Sequence, residues 1–175
     1  MNTLVVNLYG GPGCGKSTTM AQVFAELKWA GVNCEMAPEF AKEKVWEGSL
    51  PVLANQVYIF AKQYHRIHRL LNKVDVIITD SPLLLSLIYG KDISPEFRQF
   101  VLAENGKLRR MNFLLCREKH YNPAGRLQTE TEARDIDNVV SQLLLDVGEP
   151  FTPVQGNHTG VSQIVNELKY KLGIA

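Results

Sequence analysis

The sequence predicts an α/β protein of three layers, with a mainly parallel, five-stranded sheet between two sets of helices. Two observations carry this. Short β-branched apolar runs alternate along the chain with stretches of helical period, and the first run passes through a glycine-rich loop directly into a helix. The length of 175 residues suits one domain spanning 1–175. A hydrophobic fraction of 45% and a charged fraction of 21% exclude a disordered, collagen-like or low-complexity chain.

Thr3 to Tyr9 (TLVVNLY) reads as the first strand, and Lys16 to Ala30 as a helix closed by Gly31. Val32 to Ala37 reads as the second strand, stopped by Pro38, which has no N–H to give a ladder. A loop with Glu39 follows. Ser49 and Pro51 resemble an N-cap and first-turn pair opening the longest helix, which runs to Leu71 on the spacing of Leu53, Val57, Phe60, Ile67 and Leu70. Val74 to Thr79 reads as a buried parallel strand ending in Asp80, Ser81 and Pro82, and a helical region broken near Gly90 and Asp92 covers 82–106. Met111 to Cys116 is the fourth strand. The polar stretch Arg117 to Gln128, shaped by Pro123 and Gly125, is a loop, and Thr129 with Glu132 forms a capping box for a helix to Val147. Phe151 to Val154 is the last strand despite Pro153, and Thr159 to Leu172 the last helix.

Gly10 to Ser17 (GGPGCGKS) satisfies G-x-x-x-x-G-K-[ST] between the first strand and the first helix, where that pattern has a mechanism. Gly11, Gly13, Cys14 and Gly15 build a loop whose N–H groups point at a phosphate. Lys16 reaches the β- and γ-phosphates, Ser17 ligates Mg²⁺, and the helix start with Thr18 adds its dipole. ATP and Mg²⁺ are the expected cofactors. Asp80 closes an apolar strand, where a second magnesium-holding acid belongs, although Asp–Ser–Pro also suits a helix cap. Glu39 lies at the carboxyl edge of the sheet and could accept a proton from an attacking hydroxyl; alternatively Glu39, Glu43 and Glu47 form a solvated helix face. Arg117 and Arg126, with Arg134 beyond them, flank a lid segment near 117–131 that would bring cations over the γ-phosphate.

Other features point elsewhere. Cys14, Cys34 and Cys116 are odd in number and far apart, which excludes a disulfide framework or a zinc knuckle and suits a reduced cytoplasm. The amino terminus lacks a basic n-region and no apolar run approaches about 20 residues, so neither secretion nor membrane insertion is expected. Asn72-Lys73-Val74-Asp75 spells N-K-x-D, but it enters a strand rather than following one, so it is not read as a guanine-binding motif. His65 and His68 are three apart with no third ligand in view, and read as solvated or phosphate-facing. The net charge of +1 hides segregation: 4 basic against 5 acidic residues over 1–60, 12 against 6 over 61–126, and 3 against 7 over 127–175. A basic middle third is expected where polyphosphate, or DNA, would lie.

The segments GGPGCGKST, PEFAKE (38–43), IFAKQ (59–63), IITDSP (77–82) and YNPAGRLQTETEARDID (121–137) resemble P-loop kinases of the nucleoside and nucleotide kinase superfamily, over nearly the whole chain. Within it the chain resembles the small nicotinamide-riboside-kinase-like branch, and is similar to phage P-loop kinases that phosphorylate 5-hydroxymethyluracil in DNA. The resemblance implies a P-loop NTPase fold with the first strand in the middle of the sheet. It implies Lys16 and Ser17 on ATP–Mg²⁺, Asp80 near the metal, Arg117 and Arg126 in the lid, Glu39 as the acceptor-side carboxylate and Gln63 in the acceptor pocket. Pro38-Glu39 reverses the order found in deoxynucleoside kinases, and Asp80-Ser81-Pro82 stands where they have Glu-Arg-Ser, so the base is either Glu39 or Asp80.

The expected activity is transfer of the γ-phosphoryl group of ATP to a hydroxyl of a nucleoside-type acceptor. A hydroxymethylated pyrimidine in DNA is put first because Lys62, Arg66, Arg69 and Lys73 stripe one helix face, with Arg66 reaching the substrate. Nicotinamide riboside or another free nucleoside is the alternative, and a P-loop switch without an acceptor is the rival of another class.

Overall fold

The computed structural model describes residues 2–90, 93–118 and 120–174. Five strands form one sheet: β1 (Leu4–Tyr9), β2 (Cys34–Ala37), β3 (Val76–Thr79), β4 (Arg109–Cys116) and β5 (Thr152–Gln155), in the order β2-β3-β1-β4-β5. Every pairing is parallel, which sharpens the expected mainly parallel sheet, and β1 is central. All six residues of β1 are buried, as a strand covered on both faces requires. Leu4, Val6 and Leu8 pack with Val23, Leu27, Ile164 and Leu168 on one side, while Val5 and Tyr9 pack with Phe60, Ile67, Leu84 and Leu144 on the other. This is the three-layer P-loop NTPase architecture. Pro153 is tolerated because β5 is an edge strand pairing only with β4.

The helices are α1 (Lys16–Trp29), α2 (Phe40–Trp46), α3 (Leu50–Leu53), α4 (Gln56–His68), α5 (Ser86–Tyr89), α6 (Pro95–Gly106), α7 (Glu130–Asp146) and α8 (His158–Leu172). The capping box of Thr129 and Glu132 is present at α7. The single long helix expected from Pro51 to Leu71 is instead two, because Asn55 interrupts it and caps α4 by accepting the Tyr58 N–H at 3.1 Å. Val57 consequently sits exposed rather than in the core. The region 82–106 is a 3₁₀ turn at Leu83–Leu85, then α5, then α6 capped by Ser94; Asp92, where a break was expected, lies outside the described residues.

The strand ends position the chemistry. The phosphate loop follows β1, Glu39 follows β2, Asp80 follows β3 and Arg117 follows β4, all at the carboxyl edge of the sheet where open α/β folds collect ligands. Gln63 on α4 ties two of these ends together. It is buried, its Oε1 accepts the Phe40 N–H at 3.0 Å, and its Nε2 donates to Ala37 O and to Thr79 Oγ1, each at 3.3 Å. Its side chain reaches the cleft wall, yet the amide is spent within the fold, so Gln63 sets the place of Glu39 rather than offering polar atoms to an acceptor. Gln63→Leu leaves the Phe40 N–H without its acceptor and is expected to cost about 2 kcal/mol; chemical denaturation checks this, and a loss below about 0.5 kcal/mol would rule the strut out.

Candidate active site

The start of α1 differs in kind from those of the other long helices. α4, α6, α7 and α8 are capped by the side chains of Asn55, Ser94, Thr129 and Asn157. α1 begins at Gly15 with no side-chain cap and no acid in its first turn, which leaves its N-terminal N–H groups and its dipole uncompensated. Gly13 and Gly15 hold φ of 79° and 107°, a region open to glycine, so the loop can turn its backbone inward. The Lys16 ammonium lies across this loop and donates to Gly10 O at 2.7 Å and Gly11 O at 2.8 Å. Burial works against its charge, and neighbouring Cys14, Tyr89, Glu39 and Asp80 more than offset that, holding it above the usual lysine range.

A cleft of about 1270 Å³ opens beside the loop. Single small-ligand sites usually measure roughly 300–1,000 Å³. The space therefore exceeds what one small ligand fills. Its lining takes in Gly13, Gly15, Lys16, Ser17 and Thr18 of the loop, the carboxylates Glu39 and Asp80, and the apolar side chains of Val45, Leu50, Leu53, Val57 and Phe97. Arg126 and Gln128 reach in from the lid.

The two carboxylates have different surroundings. Asp80 is 3% exposed and its Oδ1 accepts the Glu39 N–H at 2.9 Å. Burial raises its pKa above the usual Asp range, against the opposing pull of Lys16 and of backbone N–H donors. Glu39 occupies the N-cap position of α2 without capping it, and its carboxylate has no hydrogen bond from any described residue. Burial and Asp80 raise its pKa; Lys16, Lys42 and Arg126 pull it down, and the rise prevails. Asp80 is held in place, whereas Glu39 faces the cleft uncommitted.

Other expected site residues fall outside the cleft lining. Gly11 is buried with its N–H given to Asp137, and Cys14 is fully buried in the core, so its thiol has no access for redox chemistry. Arg66 donates to Pro38 O at 2.9 Å, pairs with Glu43 at 2.7 Å and lies over the Phe40 ring, which fastens α2 to α4 away from the cleft. Arg134 pairs with Glu130 on the exposed face of α7. Arg117 does not reach over the cleft either: its Nε bonds Asp137 at 2.8 Å and its Nη2 bonds Pro12 O at 2.9 Å, beneath the lid. His68 stacks on Tyr64, and Asn72 makes the left-handed turn into β3, accepting from Asn2 and donating to Thr3 Oγ1.

Several residues that the sequence reading passed over hold the lid. The Tyr121 ring lies beside Gly13, its hydroxyl bonds Gln128 O, and Arg126 stacks over its face. Trp46, at the end of α2, covers Gly125: a Cβ added there would come 2.6 Å from the indole. Tyr89 adds a phenol to the cleft wall, its pKa raised by burial. An acid spaced from Arg117 by one lid segment was the only sequence signal for Asp137; Trp46 had none.

A family model described as an AAA domain matches residues 5–160. No curated protein matches the sequence. Among solved structures, the chain is similar to one titled "Crystal structure of NadR protein in complex with NR", with a TM-score of 0.76 at 14% sequence identity. The match covers 99% of this chain and 53% of the other, so the chain spans about half the length of that protein. At that identity the likeness establishes the fold.

The contact of Trp46 with Gly125 is open to a direct test. Gly125 holds φ +71°, so Gly125→Ala strains the backbone as well as meeting the indole. In a Trp29→Phe background, where Trp46 is the single tryptophan, Gly125→Ala is expected to increase acrylamide quenching of Trp46. Unchanged quenching would show that the lid does not rest there.

Proposed function

The chain belongs to the AAA domain family, and from that premise we propose that it is an ATP- and Mg²⁺-dependent kinase acting on a hydroxyl of a nucleoside-type acceptor. The observation that carries this reading is Glu39, a carboxylate with a raised pKa and no hydrogen bond from any described residue, lining the same cleft as the uncapped phosphate loop, with more room there than one small ligand needs.

The donor set fits the cofactors. Ser17 and Asp80 offer hard oxygens for Mg²⁺ beside the loop, and Lys16, now on Gly10 O and Gly11 O, has an ammonium to give to phosphate. Magnesium held there would neutralise charge across the β- and γ-phosphates. The acceptor oxygen attacks the γ-phosphorus, the bond to the bridging oxygen of ADP breaks, and Glu39 takes the hydroxyl proton. Lys16 and Arg126 supply fixed positive charge to the oxygens of the transferring group. Asp80, locked by the Glu39 N–H, keeps the metal side and the base side in register. This assigns the base to Glu39.

A free nucleoside, nicotinamide riboside among them, is the acceptor we put first. The four cations that favoured DNA do not line the cleft; α4 ends at His68, so Arg69 and Lys73 lie beyond it rather than on one helix face, and Arg66 is paired with Glu43. The solved relative titled as a complex with NR supports the same order. A base carried in DNA has the exposed Lys62, Arg69 and Lys73 in its favour.

Incubation with labelled ATP and Mg²⁺, offering free nucleosides and hydroxymethylated DNA separately, decides between them. Label is expected in the small molecule. Label confined to DNA would reverse the order, and inorganic phosphate as the sole product would replace the kinase with a slow NTPase. The pH dependence has a definite sign. Glu39 must lose its proton to act, so kcat/KM is expected to fall on the acid side with a midpoint above the ordinary glutamate value of 4.5. Glu39→Gln should lower turnover about 10²–10⁴-fold and abolish that limb; a limb that survives in this variant and vanishes in Asp80→Asn would transfer the base role.

A further inference from the structure

Beneath the lid, one carboxylate joins the phosphate loop to the helix that follows the lid. Asp137, in the second turn of α7, accepts the Gly11 N–H at 2.6 Å on Oδ1 and the Arg117 Nε at 2.8 Å on Oδ2. The loop is built for this contact. A Cβ on Gly11 would stand 2.5 Å from Ala133 O and 2.6 Å from Asp137 Oδ1, so only glycine admits α7 this close. The Arg117 side chain is 5% exposed, and two of its three nitrogens are engaged, Nε by Asp137 and Nη2 by the carbonyls of Pro12 and Ala133. Its third nitrogen, Nη1, is buried with no partner, 3.2 Å from where a Cβ on Gly13 would be. A buried guanidinium N–H without an acceptor is costly, and here it is aimed at the loop that the cleft geometry assigns to phosphate.

We propose that Asp137 is a positioning residue for nucleotide phosphate, acting through Arg117: it orients the guanidinium so that Nη1 meets a phosphate oxygen on the loop, and fixes Gly11 in the same stroke. The proposal rests on reading the cleft as a nucleotide site, and it does not depend on the acceptor. The planar fork explains why an arginine stands here, since separate nitrogens can serve Asp137 and the phosphate at once in fixed directions, which an ammonium cannot.

The test is a double-mutant cycle read on affinity for a fluorescent ATP analogue with Mg²⁺. Asp137→Asn can still accept the Gly11 N–H through its Oδ1 while losing the charge that orients Arg117. It is expected to weaken binding roughly tenfold. Arg117→Ala should weaken it at least as much, and the double variant should be no weaker than Arg117→Ala. Independent, multiplying losses would overturn the proposal, as would an Asp137→Asn protein with a lowered melting temperature and wild-type affinity, which marks a merely structural contact. Should Asp137→Asn fail to fold, Arg117→Lys read with Asp137 intact keeps the question open to decision: wild-type affinity in that variant would equally overturn it. Wild-type protein that binds the analogue and phosphorylates no acceptor would remove the kinase reading and leave Asp137 in place.

Discussion

A lysine ammonium, two carboxylates and a helix dipole share one partly buried corner at the carboxyl edge of the sheet, and the rest of the structure is arranged around making that tolerable. Lys16 loses hydration where it lies, and Cys14, Tyr89, Glu39 and Asp80 around it more than offset that, the two carboxylates coming from the ends of two other strands. Each carboxylate is itself raised by burial and pulled back by Lys16. The three charges are mutually dependent. Removing one partner from such a group leaves the others buried without compensation, which costs more than the net value of any pair. The β2-β3-β1 pairing brings the three strand ends into one corner, and Gln63 fixes the spacing between two of them.

The same logic separates the two acids. A carboxylate that accepts a backbone N–H is fixed in direction and suited to holding a cation in one place. One without donors is suited to accepting a proton. Asp80 accepts the Glu39 N–H; the Glu39 carboxylate accepts none from any described residue. The hydrogen bond thus joins the residues that the sequence left as rival bases, and under the proposed function one orients and the other reacts. Chain order at Pro38-Glu39 does not disturb this, because Pro38 follows the end of the strand and Glu39, at the N-cap of α2, still lines the cleft.

Much of the fold was legible because its signals are local. β1, with six consecutive buried residues, announces a central parallel strand, and the glycine pattern after it has one mechanical use. The capping box at Thr129 likewise depends on residues three apart. The break at Asn55 was missed because the apolar spacing of Leu53 and Val57 is helical on both sides of it, and only the side-chain cap reveals the interruption. The surroundings of the lid arginines are hidden for a different reason. Charge and loop position are visible in a sequence, whereas the partner is not: Arg134 is matched by Glu130 four residues earlier, and Arg117 by Asp137, twenty residues on and reached only through the fold.

The segregated charge reads differently in three dimensions. The excess of basic residues over 61–126 suggested a surface for polyphosphate, and the acidic stretch over 127–175 suggested nothing. In the folded chain two arginines of the basic stretch are paired with acids of the acidic one. Arg110 is held by Glu149 at the sheet edge, with Asn105 and Asn112 on the same carboxylate, and Arg117 is held by Asp137 under the lid. Arg66 is met by Glu43 from the first third. These pairs join β4 to the segment after α7, the end of β4 to α7, and α4 to α2, so these charges are spent on holding elements together. What the middle third leaves facing solvent on α4 and just beyond it is Lys62, Arg69 and Lys73, while Arg126 is the arginine that lines the cleft. A ligand-binding role must therefore be argued from where cations are left unpaired, and near the phosphate loop that leads to Lys16, Arg126 and one nitrogen of Arg117.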